Sequence, residues 1–189
     1  MVFEKLVIVT KQTTLEGLLA RFNTREQARF YVEHMGESFD EYESEHEVYH
    51  HSLSLLLSRV PSSVRSHVID RSFVPNYTLG PGDLVVTLGP DGLVVNVAKY
   101  LTNQPLLAFN PDRQRVDGIL TLFPVGDAAD AFRSALNCRL PSRSVAMARA
   151  TLNDGQELHA LNDFFVGRRT HVSAPVIKLP KRRSKSFHL

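Results

Sequence analysis

An open, mostly parallel α/β sheet followed by the start of a β-rich second unit is the fold this sequence predicts. Three observations carry that expectation. Apolar runs without alternation, Leu6-Val7-Ile8-Val9 and Leu84-Val85-Val86-Thr87-Leu88, read as strands covered on both faces. Helix-length stretches separate the strand-like runs, and strands that alternate with helices assemble into parallel sheets. From Ser142 onward the helical texture stops, and short strand-like pieces follow one another.

Taken in order, Leu6-Val7-Ile8-Val9 is the first strand. Residues 11–23 are mixed and favour no single element. Thr24 and Gln27 have capping-box spacing, and residues 28–35 behind them suit a helix until Gly36 interrupts. Residues 38–60 contain no Gly or Pro and are rich in Glu and Leu, which predicts one long helix ended by Pro61. Residues 64–74 read as a second strand, centred on Val68-Ile69. Gly80-Pro81-Gly82-Asp83 is a turn, and the strand beginning at Leu84 follows it. Gly89-Pro90-Asp91-Gly92 breaks that strand. Behind the break, Leu93, Val94, Val97, Ala98 and Leu101 form an apolar stripe that predicts a helix. Residues 105–109 and 118–123 are two further strands, and residues 127–136 a helix with Asp127 near its N-cap. Residues 145–152, 156–160 and 164–166 read as short strands, with Asn153-Asp154-Gly155 as a hairpin turn. The expected organisation is an α/β nucleotide-binding domain over residues 1–141, a partial β-rich domain over 142–174 and a basic tail over 175–189. The tail lacks periodicity and is expected to be loosely packed or disordered.

The chain has 189 residues, 43% of them hydrophobic and 22% charged, as in ordinary globular proteins. Its formal charge of +2 is unevenly spread. Lys178, Lys181, Arg182, Arg183 and Lys185 crowd the tail, which leaves 17 basic residues against 20 acidic ones elsewhere. A mildly acidic body does not form the basic face that nucleic-acid binding needs, so the Lys181-Arg182-Arg183-Ser184-Lys185 run reads as a solvated tail. Cys138 is the only cysteine, which rules out an internal disulfide and suits a reducing compartment. It is expected as buried filler on an apolar-faced helix. No apolar run reaches the roughly 18–20 residues of a membrane span, and no leader pattern follows Met1. The expectation is a cytoplasmic protein with no membrane partner.

The chemistry concentrates between residues 83 and 110. There a strand ends in a glycine-containing turn, a carboxylate sits in the turn, and a helix begins directly after it. Glycine permits close approach of a ligand, and a helix N-terminus suits anions. In open α/β sheets ligands bind at the carboxyl ends of strands. Asp91 would stand there as a base for a hydroxyl nucleophile. The same tetrapeptide also suits a plain structural turn.

The wider string is more specific. Gly89-Pro90-Asp91-Gly92-Leu93, then Asn96, Gln104-Pro105, Asn110-Pro111-Asp112 and Ala160-Leu161-Asn162-Asp163 resemble, in order and spacing, the NAD kinase family. The bacterial branch often labelled sugar kinases is the most similar. The resemblance covers roughly residues 84–173 and implies ATP-dependent phosphorylation of the NAD 2′-hydroxyl to give NADP. It implies Asp91 as the catalytic aspartate, with Gly89 and Gly92 beside the phosphates and Leu93 among the substrate- or cofactor-binding residues. It further implies Asn110 and Asn162 as dinucleotide-binding residues, with Asp163 in place of the family's Glu. ATP, Mg2+, NAD as substrate and a homo-oligomer follow from the same resemblance. Pro90 stands where the family has a second glycine, and it fixes φ and removes an N–H donor. The family continues into a Gly/Thr/Ser-rich loop, whereas here the basic tail follows, so the sequence reads as C-terminally truncated. Two alternatives stay open: a catalytically inactive nucleotide-binding homologue, and a kinase of the same fold acting on a sugar or lipid hydroxyl.

His46, His50 and His51 lie near Glu43, Glu45 and Glu47. Positions 46 and 50 share a helix face and could hold a metal such as zinc, but the favoured reading is a solvated face, and no metal ligand is assigned. Asp112, Arg113, Arg115 and Asp117 read as loop charges. There is no Walker A loop, no G-x-G-x-x-G and no G-x-S-x-G, which argues against P-loop kinases, Rossmann dehydrogenases and α/β-hydrolases.

Overall fold

The computed structural model describes residues 3–161 and the backbone of residues 185–188. Its main body is a five-stranded, all-parallel sheet in the order β2-β1-β3-β4-β5. The strands are β1 (Lys5–Thr10), β2 (Arg65–Asp70), β3 (Asp83–Leu88), β4 (Leu106–Asn110) and the short β5 (Phe123–Pro124). In register, β1 meets β2 at Ile8–Val68 and β3 at Ile8–Val86. The α/β expectation is thereby met.

Helices cover both faces because alternate residues of the central strands are apolar in both directions. On one face Leu6, Ile8, Val86, Leu88 and Phe109 pack against Tyr49 and Leu56 of α3 (Phe39–Ser58) and Phe132 of α5 (Ala128–Leu136). On the other face Val7, Val9, Val85 and Ala108 pack against Leu93, Val94 and Val97 of α4 (Asp91–Ala98). A third, smaller cluster of Leu15, Ala28, Val32 and Phe39 joins α3 to α1 (Thr14–Phe22) and α2 (Arg25–His34).

A three-stranded antiparallel sheet follows, in the order β7-β6-β8. Its strands are β6 (Ser144–Thr151), β7 (Glu157–Ala160) and β8 (Lys185–His188). Met147 of β6 is buried in the same cluster as α4, so this sheet rests on the body. Gly155 turns the β6–β7 hairpin at φ 87.

Four expectations change. Residues 11–23, left without an element, contain α1, whose Thr13 hydroxyl accepts from Glu16 N while the Glu16 carboxylate accepts from Thr13 N. That capping box is the local signal for the helix. Residues 118–122 are irregular, and only Phe123–Pro124 pairs as a strand. The backbone N–H groups of Ile119, Leu120 and Thr121 go to Asp91 instead of to a neighbouring strand. Cys138 is exposed and lies just past α5, where it takes a left-handed φ of 53. Cys138 N–H donates to Ala135 O and Arg139 N–H to Ser134 O, the bonding of a Schellman helix end. Within the tail, Lys185–His188 pairs with Ser144–Met147, because the edge of β6 presents unpaired backbone N–H and C=O groups that another segment can satisfy. The strand expected at residues 164–166 lies outside the described residues. No helix among the described residues is long and apolar enough to cross a membrane.

Candidate functional site

Strand order reverses between β1 and β3: the chain leaves β1 for the α3 face and leaves β3 for the α4 face. The carboxyl ends of those two strands are where an open α/β sheet forms its ligand crevice. Two clefts open along this edge.

The first contains Asp91. Gly89 closes β3, and its N–H donates to Phe109 O on β4. A Cβ at Gly89 would stand 2.9 Å from Leu93 Cδ2, so the corner needs glycine for packing. Pro90 is the N-cap of α4, and Asp91 and Gly92 form its first turn. The Asp91 carboxylate accepts four hydrogen bonds from the 118–121 loop. Oδ1 receives Leu120 N (3.0 Å), Thr121 N (3.1 Å) and Thr121 Oγ1 (3.3 Å), and Oδ2 receives Ile119 N (2.9 Å). Gly118 makes that wrap possible, since a Cβ there would fall 1.8 Å from Thr121 Oγ1. Asp91 and Gly92 line a cleft of about 540 Å³ with Asn96, Ile119, Val145 and Leu161. Leu161 is the last residue described before Asn162.

The sequence-predicted residues divide sharply here. Asp91 and Gly92 share the cleft wall. Gly89 is buried with its N–H spent, and Leu93 is core, 2% exposed. Asn110 is also buried; its Nδ2 donates to Val116 O (2.7 Å) and its Oδ1 accepts from Asp112 N (2.9 Å). It therefore shapes the 111–117 loop from inside. Asn162 and Asp163 lie outside the described residues.

The second cleft, about 70 Å³, sits at the switch point itself, between Lys11 after β1, Pro90 after β3, Asp112 and Arg115 after β4, and Glu45 and Tyr49 of α3. Lys11 Nζ pairs with Glu45 Oε1 at 3.0 Å, and Arg115 reaches Ser44 Oγ (2.8 Å) and Asp112 Oδ2 (3.6 Å). Burial would push the Glu45 carboxyl up, but hydrogen bonds from Thr14 and Lys11 outweigh it and hold the group below its ordinary value. Lys11, Tyr49 and Arg115 escaped the sequence reading, because only the non-local strand order places them together. A more apolar cavity of about 300 Å³ lies near the amino ends of β3 and β4, against Phe3, Leu84 and Leu106. It offers no charged group to orient a polar substrate.

No family model matches the chain, and no curated protein matches it by sequence. Among solved structures it is similar to yeast NADH kinase complexed with NADH, at 16% identity and a TM-score of 0.41. The match covers 86% of this chain and 48% of the other, so the chain spans about half the length of that structure.

Proposed function

We propose that the protein is an NAD kinase-type phosphotransferase in which Asp91 is the base for the acceptor hydroxyl, with ATP as donor and the NAD 2′-hydroxyl as acceptor. The observation that carries this reading is the state of the Asp91 carboxylate. Its Oδ1 takes three donors, whereas Oδ2 takes one and keeps a lone pair, at a strand-to-helix corner lining the larger cleft. Oδ2 would take the hydroxyl proton as the ribose oxygen attacks the γ-phosphorus and the bond to the β-phosphate oxygen breaks, releasing ADP. The 118–121 wrap fixes the carboxylate before substrate arrives, and phosphoryl transfer depends chiefly on such positioning. Magnesium would supply charge neutralisation on the phosphates. Asp91 is the one carboxylate lining this cleft among the described residues, which suits an ion held mainly by substrate phosphates.

One observation favours the second reading, a nucleotide-binding protein without turnover. The Gly89 N–H is already bonded to Phe109 O and Pro90 has none, so the corner offers few backbone donors to a transferring phosphate.

Incubation with NAD, ATP and magnesium, followed by assay of NADP, tests both. Asp91→Asn should lower turnover by about 100-fold or more, the usual worth of a general base. Thr121→Val disturbs the same loop while keeping the carboxylate, and should change turnover only a few-fold. NAD binding without NADP formation supports the second reading, turnover of a sugar or lipid alcohol alone points to that acceptor, and full activity in Asp91→Asn removes Asp91 from the chemistry.

A further inference from the structure

Helix α1 begins beside the carboxyl end of β1, and α3 passes against it. Glu16 on α1 and His46 and His50 on α3 each bring one ligand atom within 4.8 Å of the others. His50 Nε2 lies 3.0 Å from Glu16 Oε1, and the two imidazole rings are 4.3 Å apart, tilted by 58°. Donors held at about 2.0–2.1 Å by a tetrahedral zinc ion lie roughly 3.3 Å from one another, so modest side-chain rotation closes the set.

The surroundings orient these groups as a metal site requires. Glu16 Oε2 is fixed by the Thr13 backbone N–H at 2.8 Å, which leaves Oε1 toward His50. His46 Nδ1 is bonded to Thr13 Oγ1 at 2.9 Å, which leaves Nε2 as its ligand atom. An outer oxygen that holds the second ring nitrogen is the usual support of a metal-bound imidazole. All three residues are half-buried. A His–Glu contact accounts for His50 and the Thr13 hydroxyl for His46, and both contacts are also those that would orient the two imidazoles toward a shared ion.

The string His46-Glu47-Val48-Tyr49-His50 also has the His-Glu-x-x-His spacing by which one helix turn presents two imidazoles to a metal. The solvated-face reading passed over that signal, and the third ligand was invisible to it because Glu16 lies 30 residues upstream on another helix.

We propose that Glu16, His46 and His50 form a binding site for a divalent transition-metal ion of the zinc class. Two imidazoles and one carboxylate suit zinc, cobalt and nickel better than magnesium or calcium, which favour all-oxygen sets. Three ligands from two helices clip α1 to α3 and leave a coordination position for water.

The test is calorimetric titration of the untagged full chain with Zn2+, with Co2+ absorption reporting the ligand field. One ion per chain should bind, and Glu16→Gln and His50→Ala should each weaken it by about 10-fold or more. Glu16→Gln can still accept from Thr13 N–H, so a fold check by circular dichroism separates lost ligation from lost structure. The absence of saturable Zn2+ binding, or stoichiometric binding that survives His46→Ala/His50→Ala in a folded chain, would overturn the assignment.

Discussion

Tyr49 shows how one side chain can hold the switch point together. Its hydroxyl donates to Leu88 O at the end of β3 and accepts from Lys11 N just past β1, so it staples α3 to both strands. The Lys11 ammonium lies 5.6 Å from its ring centroid. Burial pushes the phenol up to about 12 from its ordinary 10.0, although the Lys11 N–H bond acts the other way. The folded state thus keeps the phenolic proton where the unfolded chain has lost it. Stability from this group is full below pH 10.0 and is lost as pH rises toward about 12. That loss should reach about 2–3 kcal/mol at the upper end. Denaturant unfolding from neutral pH upward, in the wild type and in Tyr49→Phe, isolates the term by difference. A difference independent of pH would show that the phenol titrates normally. Lys5 changes in the same direction: partial burial lowers its pKa, but bonds to Tyr77 and Asp83 outweigh that and raise it, so the subtraction is necessary.

Two glycines give opposite predictions at the level of elements. Gly92 sits in the first turn of α4 with nothing within 4 Å of where an alanine methyl would stand, whereas Gly118 is closed over by Thr121. Gly92→Ala should raise stability by roughly 0.5–1 kcal/mol through helix propensity. If NAD occupies the Asp91 cleft as proposed, the new methyl should also weaken its binding, because Gly92 lines that cleft. Gly118→Ala should cost about 1–3 kcal/mol, the range for forced overpacking, and release the 118–121 loop from Asp91. Chemical denaturation together with NAD titration checks both; stability changes of these opposite signs without any effect on NAD would move ligand binding elsewhere. The elements themselves were partly legible. Leu84 to Leu88 announced β3 because a strand buried on both faces reads as a near-continuous apolar run, interrupted here only by the buried Thr87. The stretch Gly118-Ile119-Leu120-Thr121-Leu122-Phe123 looked equally strand-like. It became a loop because a carboxylate 28 residues away from Ile119 captured its N–H groups, and β-propensity records no such partner.

The whole molecule holds what a local reading could not reach. Local patterning predicts that strands exist, but their order, β2-β1-β3-β4-β5, comes from pairing between distant segments. Asp91 could be placed at a corner from sequence, since strand, turn and helix are contiguous there. Lys11, Tyr49 and Arg115 could not, because they meet only once β1 and β3 are neighbours. Their position beside Pro90 puts two cations on the same edge as the Asp91 corner. Both cations are also engaged by carboxylates, Lys11 by Glu45 and Arg115 by Asp112, so an incoming phosphate must compete with those partners. If a nucleotide's phosphates reach this cleft, Lys11→Ala and Arg115→Ala should each weaken ADP or NAD binding by about tenfold, the loss of one charge-assisted hydrogen bond. Arg115→Lys should recover little, because a single ammonium lacks the paired donors of the guanidinium. Raising the salt concentration should weaken the wild type more than either alanine variant, since screening acts on the charge those variants no longer carry. Equilibrium binding at two ionic strengths decides the matter: affinities that match across all four proteins would confine the ligand to the Asp91 cleft and leave Lys11 and Arg115 with a purely structural role between α3 and the strand ends.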